Sequence, residues 1–185
     1  MAKSGTITIF LVDQAEHNQY YWGEGTMYVV GTYLREYFTR ICQHPSSTIA
    51  NADFSWYSSW GRLKPQDIII HFFDRPAKGL IEGTFNQSAP HPGGSGGTWK
   101  SPGGMISEIY LEPMQGDRDY ARLVANIAFH EAMHNKLDAD PQHQSVADIH
   151  GLGGLASRVV QRGSQLSQSN IIKMAPALSK AVPQF

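Results

Sequence analysis

The chain has 185 residues, of which 41% are hydrophobic and 17% charged, a balance that fits one domain with one core and excludes a disordered polypeptide. A net charge of −1 excludes the electrostatic footprint of a nucleic-acid binder or of a protein held on an anionic membrane. The single cysteine, Cys42, excludes an internal disulfide, and no secretory leader or apolar run of membrane-spanning length is visible, so the expectation is a monomer that stays in the cytoplasm or leaves by a non-classical route.

Thr6 to Val12 is β-branched and alternating, which predicts a short strand. Asp13 to Gly25 is polar and aromatic with two glycines and reads as a loop. Thr26 to Cys42 places Val29, Val30, Tyr33, Leu34, Tyr37, Phe38 and Ile41 at helical spacing, and Cys42 at its end reads as a buried, inert thiol. A weaker strand is expected near Ile49 to Tyr57. Asp67 to Phe73 is nearly continuous in apolar residues between Pro65 and Pro76, as a strand buried on both faces would be, with His71 as a core residue inside it. Ala77 to Gly104 is rich in glycine and proline and reads as a long irregular loop, in which His91 and Trp99 are candidates to line a groove. Its paired glycines lack the strand–loop–helix setting and the Lys-Ser/Thr pair of a phosphate cradle. Met105 to Leu111 is a strand closed by Pro113 and Gly116.

The next segment carries the chemistry. From Asp117 to Phe129 the residues Tyr120, Leu123, Val124, Ile127 and Ala128 recur at helical spacing, with Asp117 or Asp119 as N-cap. The helix runs on into His130-Glu131-Ala132-Met133-His134. Histidines four apart stack on one helix face, where two imidazoles can share one zinc ion, and Glu131 on the adjoining flank can act as general base. Zinc needs a third protein ligand and an open position. No glutamate follows Glu131, which leaves Asp138, Asp140, His143, Asp148 and His150. Asp140 reaches the metal only if the helix stops near Leu137, which Pro141 favours by disfavouring a helical residue before it. His143 is the runner-up, because neutral imidazole is the commonest zinc ligand. Beyond a polar turn over Asp138 to Gln144, Val146 to Arg162 reads as a second helix, and Gly163 to Asn170 as a loop.

His130-Glu131-x-x-His134-x-x-Leu137-x-x-Asp140 resembles the extended zinc motif of the metzincins, a branch of the zincin metallopeptidases, in the variant whose third ligand is an aspartate. The family usually carries glycine where Leu137 stands. Met174-Ala175-Pro176 resembles the methionine turn of that family, although Pro176 stands where some members have a tyrosine. The resemblance implies an α+β zincin-like domain over residues 1–185, with an upper half to about 137 and a lower part beyond it. Its small twisted mixed sheet would carry a substrate-binding edge strand, here Ile106, Ser107, Glu108 and Ile109, beside the active-site helix, and its C-terminal part would be helical. The implied function is a zinc-dependent metallopeptidase acting on a peptide or protein substrate. Two rivals are a non-catalytic zinc-holding interaction protein and a zinc hydrolase of a non-peptide amide. An open or closed fourth metal position separates the first of them from the peptidase.

Overall fold

The computed structural model describes residues 2–15, 19–23, 25–57, 64, 66–75, 96–101, 104–116, 119–137 and 168–180. In chain order these form β1 (Thr6–Asp13), a single helical turn α1 (Gln19–Trp22), α2 (Thr26–Gln43), β2 (Asn51–Tyr57), β3 (Ile68–Phe73), β4 (Gly96–Ser101), β5 (Gly104–Tyr110), a short 3₁₀ turn at Glu112–Met114, α3 (Tyr120–Lys136) and α4 (Gln168–Ala177). The strands make one sheet in the order β2-β1-β3-β5-β4. Four of them run parallel, and β4 alone is antiparallel, paired with β5 from Gly96 opposite Ile109 to Ser101 opposite Gly104. An α+β fold with a mixed sheet is therefore present, as expected.

Strand alternation divides the sheet's side chains between its two faces. Ile9, Leu11, Ile68, Ile70, Phe72 and Ile109 belong to the main core with residues of α2, α3 and α4. The helix α2 joins that core because Val30, Leu34, Tyr37, Phe38 and Ile41 fall on one stripe. It starts after Gly25, whose φ of 77° is left-handed and favours glycine. Phe129 of α3 packs edge-on to Tyr37 at 5.4 Å and Phe38 at 5.2 Å, and the Tyr37 hydroxyl donates to Asn126 Oδ1 at 2.5 Å. The helix α3 is buried on nearly every side along Leu123–Phe129 and so forms the centre of the core. Cys42 is buried as expected, and burial pushes its thiol pKa up.

The opposite face of the sheet is buried too, at Phe10, Val12, His71, Phe73, Glu108 and Tyr110. His71 stands beside Glu108 in the β3–β5 register, and the Tyr110 hydroxyl donates to Glu108 Oε2 at 2.8 Å. Burial lowers the His71 pKa to about 4. An imidazole that charges near 6.5 in the unfolded chain but only near 4 in the fold leaves the unfolded state holding more protons between those values. Stability should therefore be complete above about pH 6.5 and fall by about 3 kcal/mol as pH drops toward 4. Urea unfolding at pH 7 and pH 4.5 should show this loss in the native chain and a smaller one in His71→Phe. An equal loss in both would assign the acid sensitivity to another group.

Four expectations need correction. The strand Gly104–Tyr110 is not the edge of the sheet, because β3 pairs along one side of it and β4 along the other. Among the described residues the edge is β4, which arises within the segment read as a loop. Met174 does not lie in a turn: it sits in α4, where Ile171, Met174, Ala175 and Leu178 recur at helical spacing and are all buried. Pro176 is exposed in the last turn of that helix. The loop expected over Gly163 to Asn170 gives way to α4 at Gln168. The helix expected over Val146 to Arg162 lies outside the described residues, as does His91. No helix among the described residues is long and apolar enough to cross a membrane.

Candidate metal centre

The last two turns of α3 carry His130, Glu131 and His134. Asp119 occupies the N-cap position, as one of the two expected residues, although its side chain makes no capping hydrogen bond. The two imidazoles are half-buried, with ring centroids 4.8 Å apart and planes inclined at 69°. Their Nε2 atoms converge to 3.1 Å. Two nitrogens bound to one tetrahedral zinc at ~2.0–2.1 Å each stand ~3.3–3.4 Å apart. The pair is thus within a few tenths of an ångström of ligand spacing, at a distance that one N–H···N hydrogen bond between neutral rings also satisfies.

The helix ends at Lys136, at the stop expected near Leu137. Leu137 is extended, with φ −102° and ψ 118°, while its N–H still bonds Met133 O at 2.9 Å. The stop uses no left-handed residue, so the absence of glycine at 137 is no obstacle to it. Lys136 anchors the same end: its Nζ donates to Gln66 O at 2.6 Å and Lys180 O at 2.8 Å. The amine is almost wholly buried, and burial lowers its pKa to about 8, with the Asp67 carboxylate opposing the shift. Asp138, Asp140, His143, Asp148 and His150 lie outside the described residues. Among the described residues no group of three His, Cys, Asp or Glu side chains converges.

Glu131 is buried and contacted from two neighbouring strands. Ser107 Oγ donates to the Glu131 carbonyl at 3.1 Å, and Asn135 Nδ2 donates to Ser107 Oγ. On β4, Gly96 stands so close that a Cβ there would lie 3.1 Å from Glu131 Cγ and 2.8 Å from Ile127 Cγ2. The assignment of Ser107, Glu108 and Ile109 to substrate binding is corrected by these contacts. Ser107 faces α3, Glu108 faces away with Tyr110, Ile109 is in the core, and all three are fully buried. Ile106 pairs with Trp99, and its side chain lies outside those described. Gly96, Asn135 and Lys136 are the residues of the site that sequence reasoning missed. Of these only Asn135 had a legible signal, falling four residues after Glu131 on the same helix stripe.

A cleft of about 630 Å³ between α2 and β2 lies at the other edge of the sheet and holds no histidine, so volume alone does not locate the chemistry. No family model, curated protein or solved structure matches the chain.

Proposed function

We propose that the chain is a zinc-dependent peptidase of the zincin type, with His130 and His134 as two metal ligands and Asp140 as the third. The observation that carries this reading is the 3.1 Å convergence of the two Nε2 atoms beside buried Glu131, on a helix that stops at Lys136. The stop supports Asp140 over a ligand that would need a longer helix. These residues would hold the zinc, which when bound would supply Lewis acidity toward water and the substrate carbonyl. Glu131 accepts the proton of the attacking water, and the same carboxyl returns it to the leaving amine nitrogen as the peptide bond breaks. His130 and His134 act as neutral donors, so metal affinity should weaken as they protonate.

The substrate-binding edge in this proposal is β4 rather than β5. Among the described residues it is the outermost strand on that side of the sheet, and its first residue lies against Glu131. An extended peptide can add to such an edge by backbone hydrogen bonding, which brings its scissile bond beside the candidate base. The test is digestion of an unbiased peptide library by the zinc-loaded chain. Defined cleavage products are expected that disappear with a chelator and return with added zinc. Intact peptides at full zinc occupancy would leave a metal-holding protein without peptidase activity.

A further inference from the structure

We propose that Gly96 and Ser107 are positioning residues that together seat Glu131 for proton transfer; this rests on the peptidase reading above. Ser107 and Gly96 come from adjacent strands of the same sheet, since Ser107 pairs with Thr98, two residues beyond Gly96. Residues two apart on a strand share a face. Both therefore meet α3, one at the backbone of Glu131 and the other at its side chain. The Ser107 hydroxyl holds the Glu131 carbonyl at 3.1 Å and is itself held by Asn135, one helical turn further on. That bond fixes the height of the helix over the sheet at the one residue whose carboxyl must move a proton.

Gly96 sets the other coordinate. A Cβ at this position would meet Ile127 Cγ2 at 2.8 Å, the Glu108 carbonyl oxygen at 3.0 Å and Glu131 Cγ at 3.1 Å. The Glu108 oxygen belongs to the β-ladder and cannot retreat without breaking strand pairing. The displacement therefore falls on Ile127 and Glu131, or on β4 as a whole. Glu131 Cγ is bonded to the carboxyl carbon, so a shift there passes directly to the catalytic oxygens. The φ of Gly96 is not left-handed. Glycine is thus required here for space and not for backbone freedom, and alanine can take the same backbone conformation. The atoms that the added Cβ would crowd most belong to Ile127, Glu108 and Glu131, so the strain falls first on the base.

The experiment compares wild type, Gly96→Ala and Ser107→Ala as full chains. Each is loaded with zinc for kinetics on the best-cleaved library peptide and with Co(II) for absorption spectra. Transfer geometry misplaced by about 1 Å costs on the order of 10²-fold. Gly96→Ala should lower kcat by about 10- to 100-fold, with zinc affinity within about threefold of wild type. Its cobalt spectrum should keep the intensity of a low-coordinate site while shifting in position. Ser107→Ala should show the same signature at smaller amplitude, and it carries the test if Gly96→Ala does not fold. Wild-type kcat in the folded variants overturns the proposal. So does a loss of kcat that runs parallel to a loss of zinc affinity, because that pattern marks general damage to the helix. A wild-type chain that takes up no cobalt and cleaves no peptide overturns the peptidase reading itself, and the proposal with it.

Discussion

Glu131→Gln is expected to keep its zinc and lose turnover by about 10²–10⁴-fold, the span that general acid–base groups contribute. The substitution preserves side-chain length and nearly the same helix propensity, so α3 and its contacts with Gly96 and Ser107 persist. An amide can neither take the proton from the attacking water nor return it to the leaving nitrogen. The expected loss corresponds to about 3–5 kcal/mol of transition-state stabilisation. Because Glu131 is buried, replacing a group that is charged in the active state by a neutral isostere should leave stability unchanged or slightly raised. Steady-state kinetics beside a zinc assay decides the matter. Unchanged kcat with full zinc would assign proton transfer to another group, and a parallel loss of zinc would give Glu131 a role in holding the metal.

The helix that carries this residue was legible because its pattern is local. Leu123, Val124, Ile127 and Ala128 keep helical spacing up to His130, and all four are buried. The strands β1, β3 and β5 were legible for the same reason, being short, β-branched or continuously apolar. Their order in the sheet was not, because pairing is decided between segments far apart in sequence. Ser107 illustrates the cost. Read as the residue of an edge strand it offers its backbone to substrate, whereas β3 and β4 pair along both sides of its strand and its hydroxyl bonds α3. The strand β4 escaped detection because Gly96 and Gly97 weaken every strand signal around Thr98 and Trp99. The Pro102-Gly103 dipeptide between the paired residues Ser101 and Gly104 was the available hairpin cue.

Two other residues show composition misleading in opposite directions. Lys136 follows the metal motif and would ordinarily be assigned to solvent, yet it is buried because carbonyls of Gln66 and Lys180 converge on its ammonium group. Pro176 signals a break after Met174, yet α4 continues through it to Ala177. The buried spacing of Ile171, Met174, Ala175 and Leu178 outweighs the cost of a proline in a final turn. Met174 therefore supports the site as packing within the same core as Ala132 and Met133.

His134→Ala should abolish stoichiometric zinc binding. The native chain should hold about one zinc per molecule, through two imidazoles and one carboxylate. Removing one imidazole leaves His130 without the partner that now stands 3.1 Å from it. At a free zinc concentration about 1,000 times Kd, the metal stabilises the native fold by about 4 kcal/mol, which for a domain of this size raises Tm by about 10 °C. That zinc-dependent increment should vanish in His134→Ala, while the metal-free Tm stays close to that of the metal-free native chain. The third ligand is read from the same assay. Asp140→Ala should weaken zinc by orders of magnitude and His143→Ala should change it little, since α3 stops at Lys136. A carboxylate with two neutral imidazoles leaves the site at net +1, a charge that still acidifies bound water. The reverse order of effects would transfer the role to His143. Unchanged binding in both would move it to Asp148 or His150, and with it the resemblance to metzincins would fall. Full zinc occupancy in His134→Ala would remove the metal centre from α3 altogether.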